Sequence, residues 1–121
     1  ALSTTLTLFD LILADFKFGN DLCARTLAGF SGYTAVLARN LRLAALRRRV
    51  IVRHLVMPGH ISCCTRPVID WVRGQVEPME LSIRDHYVPS FRARSSAELG
   101  RTTSEEESDA VRKLLETPEA A

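Results

Sequence analysis

Two charged side chains, Asp15 and Lys17, stand two residues apart where an apolar stretch of the chain ends. In a β-strand this spacing places both side chains on the same face. Charged groups framed by so much apolar sequence are costly unless they have partners. The residues leave two interpretations open: a solvated strand end with a casual ion pair, or part of a site at the carboxyl end of a strand.

A second stretch, residues 50–60 with the sequence VIVRHLVMPGH, carries Arg53 and His54 inside an apolar run and closes on a Pro-Gly turn before His60. In α/β proteins, residues near the carboxyl ends of buried parallel strands commonly line the active site. His86 is a further candidate, either in a pocket or as a hydrogen-bonded structural histidine. The role of His60, in the loop, stays open.

Three cysteines, Cys23, Cys63 and Cys64, form no disulfide framework, which predicts a reducing, cytoplasmic location. Cys23 stands alone on a predicted helix, and the other two are adjacent. We interpret Cys23 and Cys64 as small buried hydrophobic residues and predict no metal ligand in the chain.

The elements that position these residues follow from apolar periodicity and turn signals. We predict strands at 8–18, 50–57 and 79–87, and helices at 21–27, 33–46, 67–76 and 103–115, with a tail at 116–121. Segment 8–18 is apolar on both faces, which predicts a strand buried on both sides. Thr65 is the expected N-cap of the third helix, and Thr103 or Ser104 that of the fourth.

Strands and helices alternate, so the predicted fold is α/β with three consecutive βα units, a parallel sheet and right-handed crossovers. The 121 residues make a single, partial domain. Three units leave the sheet edges open, and an open edge is a liability. We therefore expect a larger barrel, or a partner or second copy that covers the edge.

Composition excludes several classes of protein. Hydrophobic residues make up 46% of the chain and charged residues 25%, as in globular proteins, and a net charge of +2 gives no argument for binding nucleic acid or a membrane. The arginines between Arg39 and Arg53 lack interleaved aromatic residues and predict a solvated helix end. There is no apolar run of membrane-spanning length, no signal peptide is indicated, and neither nucleotide-binding glycine motif occurs.

The motifs together resemble one family. The sequences DFKFG at 15–19, IVRHLVMPGH at 51–60 and CCTRP at 63–67, followed by Tyr87-x-Pro89, look like the second half of a radical S-adenosylmethionine domain. The subgroup is that of iron–sulfur proteins related to pyruvate formate-lyase activating enzyme. The resemblance runs from about residue 9 to 115, and its specificity comes from the order and spacing of motifs that are weak singly.

The resemblance implies a TIM-like partial barrel of six βα units, of which this chain is the C-terminal half. Family members reduce S-adenosylmethionine with an electron from a 4Fe-4S cluster. The resulting 5′-deoxyadenosyl radical abstracts a hydrogen atom from the substrate, which in activating enzymes is a glycine of a partner protein, a glycyl radical enzyme. The cofactors carry the chemistry, and the barrel positions them.

The resemblance also implies which residues bind the cofactor. Lys17 matches a lysine near the carboxylate of S-adenosylmethionine, and Asp15 an aspartate that helps to form a cation site. Arg53 matches an arginine that faces the cofactor pocket, so its neighbour His54 is expected to face the helices. His86 stands where relatives often have glutamine.

One departure from the family pattern limits what the chain can do. The cysteines that bind the family's cluster are spaced C-x3-C-x2-C, and this chain has no such spacing. Because iron–sulfur clusters need thiolates, we predict that the chain alone does not assemble the cluster and is not catalytically competent. The alternative hypothesis is a non-catalytic α/β module that self-associates through its open sheet edges.

Overall fold

A computed structural model of the chain describes residues 11–85, 87 and 99–116. The elements in this part are β1 (Leu11–Asp15), α1 (Asp21–Ala28), α2 (Tyr33–Ala45), β2 (Arg49–Leu55), a π-helical turn (Ile61–Thr65), α3 (Arg66–Arg73), β3 (Glu80–Arg84) and α4 (Glu105–Glu116). Strands alternate with helices, which confirms the predicted α/β class. Among these helices, none combines the length and the apolar character that crossing a membrane requires.

The described strands form a parallel sheet in the order β1-β2-β3. The strand that carries Arg53 and His54 is therefore the middle one. Asp15 pairs with Arg53 in the register of the first two strands, and Leu55 pairs with Arg84 in that of the last two. Parallel neighbours that follow one another in the chain require crossover connections, which the helices provide.

Helices α2 and α3 pack on one face of the sheet. Its core contains the strand residues Val50 and Val52, with Ile12, Ala14 and Leu81 packed against them, and the helix residues Leu41, Ala44, Val68 and Val72. The opposite face is uncovered in the described part of the chain: Leu11 is 44% exposed and Leu13 is 55% exposed. The expectation that β1 is buried on both sides is thus wrong for this structure, because no described element packs on its second face.

Two helix starts follow from local sequence. The Asn20 side chain accepts a hydrogen bond from the backbone N–H of Cys23 at 2.8 Å and caps α1. Ser104 and Glu107 exchange side-chain and backbone hydrogen bonds before α4, which is a capping box. Ser104 is therefore the residue that fulfils the predicted capping role.

The segment before α3 differs from its prediction as a simple connection. Residues 61–65 form a π-helical turn that runs directly into the helix. The side chain of Thr65 makes no capping bond, because it is hydrogen-bonded to the buried imidazole of His54. That contact confirms that His54 faces the helices, while Arg53 faces the uncovered side.

Several elements end earlier than predicted: β1 ends at Asp15 instead of 18, and β2 ends at Leu55 instead of 57. Helix α3 ends at Arg73, before Gly74, and the third strand ends at Arg84. The predictions for His86 and for the tail beyond Glu116 fall outside the described residues.

Candidate functional site

The first candidate site is a recess at the carboxyl end of the sheet, on its uncovered face. The cavity measures about 290 Å³ and is lined by Asp15, Lys17, Arg53, Leu55 and Arg84. The structure thus brings together three of the four residues that the sequence analysis assigned to a cofactor. The fourth, His86, lies outside the described residues.

An ion pair sets the electrostatics of this recess. Arg53 Nε donates a hydrogen bond of 2.6 Å to Asp15 Oδ1. That bond lowers the pKa of Asp15 below its usual value, so the carboxyl is ionised at neutral pH. Lys17 and Arg84 add positive charge to the same cavity. The arrangement suits a ligand that carries both an anionic group and an ammonium group.

Sequence reasoning missed Arg84 as a member of the recess. The signal was available in the alternation along β3, where Leu81 packs toward the helices and residues of the opposite parity point away. Arg84 also lies opposite Leu55 in the register, at the same end of the sheet as Asp15. Strand pairing brings these ends together, and it cannot be read directly from the sequence.

The second candidate site is a group of sulfur and nitrogen atoms on the helix side of the same edge. It consists of Cys23, His60, Cys63 and Cys64, whose ligand atoms all lie within 4.8 Å of one another. Cys23 lies on α1, after β1, and the others lie in and just before the π-helical turn, after β2. The two segments meet because the strands that precede them are parallel neighbours.

Individual distances in this cysteine–histidine cluster are short. Cys63 Sγ lies 3.1 Å from His60 Nδ1, 3.8 Å from Cys23 Sγ and 3.7 Å from Cys64 Sγ. Cys23 Sγ lies 3.8 Å from His60 Nδ1. The three cysteines are free thiols. The sequence interpretation of Cys23 and Cys64 as isolated small hydrophobic residues therefore missed that their sulfur atoms converge.

The thiols of the cluster lie in apolar surroundings. Cys64 is fully buried and packs with Phe18 and Ala24, while Cys23 and Cys63 are half-buried against the same group. Burial raises the pKa of the Cys63 and Cys64 thiols above their usual value, and a hydrogen bond from the Gly19 backbone partly opposes this at Cys64. Cys63 and Cys64 are therefore neutral thiols at pH 7 when no cation is present.

Two residues before α1 hold the halves of the cluster together. The Asn20 amide donates to the Cys63 carbonyl at 2.7 Å and to Cys23 Sγ at 3.3 Å. Gly19 lies against the backbone of the cysteine pair, where an added Cβ would stand 2.7 Å from the Cys64 carbonyl oxygen. A side chain at position 19 would therefore push the two segments apart.

His54, on β2, is a buried structural residue. Its Nδ1 is 2.7 Å from the Phe16 carbonyl oxygen and its Nε2 is 2.8 Å from Thr65 Oγ1. Because a carbonyl only accepts, Nδ1 carries the proton, and Nε2 accepts from the Thr65 hydroxyl. Burial lowers the pKa of His54, so the ring is neutral at pH 7. Its two hydrogen bonds connect β2 to the residue that follows β1 and to the last residue of the π-helical turn.

Comparison with known proteins gives one informative likeness. The chain is 34% identical over 110 residues, 91% of its length, to a protein of Methanocaldococcus jannaschii called "Uncharacterized protein MJ0674". The aligned part is 31% of that protein, so the chain spans about a third of the length of the relative it matches. No family model and no solved structure matches the chain. The chain is thus similar to one part of a longer archaeal protein, whose name assigns no function.

Proposed function

We propose that this chain is the C-terminal half of a radical S-adenosylmethionine barrel of the activating-enzyme type, and that its charged recess binds the methionine end of S-adenosylmethionine. The observation that carries the proposal is the recess itself. Asp15, Lys17, Arg53 and Arg84 meet at the carboxyl end of a parallel sheet, on the face that helices leave uncovered.

The layering supports a barrel as the parent fold. Sequential strands are sheet neighbours, and α2 and α3 pack on the same face. In a barrel, helices cover the outside and strand residues of the other face fill the interior. Leu11 and Leu13 lie on that other face and are half exposed, as interior residues of an incomplete barrel would be.

The residues of the recess fit the polar end of S-adenosylmethionine. Its methionine moiety carries a carboxylate and an ammonium group, which need cationic and anionic partners respectively. Lys17 and Arg84 supply positive charge for the first, and Asp15 supplies an ionised carboxylate for the second. Arg53 orients Asp15 through its 2.6 Å hydrogen bond. Bound next to a reduced cluster, S-adenosylmethionine would supply the chemistry that removes a hydrogen atom from the substrate.

The 4Fe-4S cluster does not fit this chain. The three cysteines lack the C-x3-C-x2-C spacing, and their sulfur atoms converge on one point, although cluster ligands bind separate iron atoms. We therefore assign the cluster to an N-terminal half-barrel on a longer product. Under this proposal the substrate is a glycine of a partner protein of the glycyl radical type. The protein would act in the cytoplasm.

The first test is the genomic sequence upstream of Ala1, where we expect an in-frame C-x3-C-x2-C motif. In that longer product, Arg53→Gln should weaken binding of S-adenosylmethionine about tenfold or more, as expected for loss of a charge-assisted hydrogen bond. Equilibrium dialysis with labelled S-adenosylmethionine measures the affinity.

Arg49→Gln is the matched control. Arg49 lies on the same strand and pairs with Glu80 at 2.6 Å, but at the amino end of the sheet. We expect this variant to bind S-adenosylmethionine like the parent protein. Equal losses in both variants, or no loss in either, would contradict the assignment of the recess.

A second candidate function is supported by the exposed apolar side chains of the uncovered face. Leu11, Leu13 and Leu55 are 44%, 55% and 37% exposed, which favours a module that self-associates. Such a protein should elute as a stable dimer in size-exclusion chromatography and retain a near-ultraviolet circular dichroism signal. A well-folded monomer would contradict it.

A further inference from the structure

We propose that Cys23, His60, Cys63 and Cys64 bind one divalent zinc-type ion in tetrahedral geometry, and that this ion fixes α1 to the π-helical turn. The inference is independent of S-adenosylmethionine binding, because none of these residues lines the charged recess. It concerns a site whose ligands all belong to this chain.

The ligand spacing carries the argument. Zinc bonds of about 2.3 Å to sulfur and 2.0–2.1 Å to nitrogen place tetrahedral ligands about 3.8 Å apart for two sulfurs and about 3.5 Å apart for sulfur and nitrogen. Cys63 Sγ lies 3.8 Å from the sulfur of Cys23 and 3.7 Å from that of Cys64. The sulfur–nitrogen distances are 3.1 and 3.8 Å, on either side of the ideal value. The two remaining pairs, Cys64 with Cys23 and Cys64 with His60, lie within 4.8 Å. The four groups are therefore close enough together to serve as ligands of a single small ion.

The ligand types select the same class of ion. Three thiols and one imidazole form a Cys3His set, one of the usual structural zinc sets. Soft thiolate ligands favour zinc over the hard cations magnesium and calcium. Direct disulfide bonding is a poor alternative, because a disulfide needs about 2.05 Å between sulfurs and the three thiols are free.

The surroundings are those of a built site. The Asn20 amide donates to Cys23 Sγ and to the Cys63 carbonyl, so one side chain orients ligands from two segments. The close approach of Gly19 to the Cys64 backbone allows the segments to meet. Phe18, Leu27 and Met57 pack in the same apolar cluster as the cysteines, which shields the sulfurs in part from water.

A role follows from where the ligands lie. Cys23 follows β1 and the other three ligands follow β2, so one ion would cross-link the segments after two neighbouring strands. The cross-link would hold the carboxyl edge of the sheet, where Asp15 and Arg53 end up side by side. The ion would be structural, because all four tetrahedral positions are filled by protein ligands.

The experiment uses the reduced chain, made metal-free with a chelator and titrated anaerobically with Co²⁺ and then Zn²⁺. We expect one Co²⁺ per chain, with thiolate charge-transfer bands and the intense visible bands of tetrahedral cobalt, and full displacement by one equivalent of Zn²⁺. This readout uses the parent sequence and does not depend on any variant folding.

Variants assign the ligands. Cys63→Ser and Cys23→Ser should abolish the charge-transfer bands or reduce affinity at least 100-fold. Asn20→Ala should weaken binding 10- to 100-fold, as loss of a ligand-orienting partner does. Ser62→Ala is the matched control, since Ser62 lies exposed in the same turn between His60 and the cysteine pair, and it should bind like the parent. Far-ultraviolet circular dichroism checks that each variant is folded.

Three results would overturn the inference. The first is a parent chain that binds no Co²⁺ at micromolar concentration. The second is cobalt binding that survives in folded Cys23→Ser and Cys63→Ser. The third is a chain that instead takes up iron and sulfide with a broad visible absorbance lost in Cys64→Ala, which would make these cysteines ligands of an iron–sulfur cluster.

Discussion

The two candidate sites lie at the same edge of the sheet but on opposite faces. The charged recess on the uncovered face is open, with an Asp15–Arg53 pair in which both side chains are about 40% exposed. The cysteine–histidine cluster on the helix side is less exposed, since its Cys64 and His60 are buried and its Cys23 and Cys63 are half-buried. The helix side thus provides four potential metal ligands from this chain. The open face provides only one wall of a binding pocket. The comparison predicts that changes on the helix side affect folding, whereas changes on the open face affect ligand binding.

The largest expected effect separates two neighbouring residues of β2. His54→Ala removes a buried ring with two hydrogen bonds and leaves the Phe16 carbonyl without that partner. We expect a loss of roughly 3 kcal/mol in the free energy of unfolding. Arg53→Ala, one residue away on the open face, should cost much less, because its ion pair with Asp15 is exposed to solvent. Urea denaturation measures both, and similar losses would contradict the contrast between the faces.

The same histidine predicts a pH dependence. Its pKa in the folded chain is lowered by burial below the usual 6.5, so the unfolded chain binds a proton that the folded chain does not. Stability from this group is therefore complete above pH 6.5 and is lost as the pH falls from 6.5 toward the lowered pKa. Denaturation at pH 7.5 and pH 5.5 should differ less in His54→Gln than in the parent chain. An equal difference in both proteins would place the effect on another group.

A smaller effect is expected where α4 meets the turn after β2. Arg101 and the Ser104 cap hold the pKa of Glu107 at about 2, and Glu107 also accepts the Gly59 backbone N–H at 2.6 Å. Because the folded pKa is depressed from 4.5, this stability is present above pH 4.5 and is lost between pH 4.5 and about 2. Since Arg101 is half exposed, we expect Glu107→Gln to cost roughly 1 kcal/mol at pH 7.

Thermal unfolding of Glu107→Gln at pH 7 and pH 3 checks this assignment. Glu106→Gln, which changes a neighbouring exposed residue of the same first turn, is the control. The difference between Glu107→Gln and the parent should shrink at pH 3. A difference that is constant with pH would contradict the role of the carboxylate.

The smallest expected effect is the coupling between Asp15 and Arg53. Both side chains are well exposed, so a double-mutant cycle with Asp15→Asn and Arg53→Gln should give a coupling free energy smaller than the effect of either His54→Ala or Glu107→Gln. In Arg53→Gln the pKa of Asp15 should rise, because the hydrogen bond from Arg53 is the main cause of its lowering. Carboxyl titration followed by nuclear magnetic resonance measures this directly, and an unchanged Asp15 pKa would contradict the pairing.

Much of the fold could be predicted from local sequence. The apolar runs and capping residues predicted the order of strands and helices, and the two-residue spacing of Asp15 and Lys17 predicted a shared face. His54 also faces the helices as expected. The order of elements and the shared face depend on neighbours in the chain, where periodicity and caps act. The orientation of His54 was expected from the family resemblance instead.

The cysteine–histidine cluster was not predicted, because its parts are distant in sequence. Cys23 and Cys63 are 40 residues apart, and their contact depends on the pairing of β1 with β2 and on a π-helical turn in place of an ordinary loop. Neither feature has a local signal. The uncovered face of β1 was likewise missed, because an apolar segment does not reveal whether a second layer is present.

The most direct measurement of the contrast between the two sites is native mass spectrometry of the reduced chain with equimolar zinc and S-adenosylmethionine. The cluster is complete in this chain and the recess has one wall, so we expect one zinc ion per chain and no S-adenosylmethionine adduct. A chain that carries S-adenosylmethionine and no zinc would contradict the account.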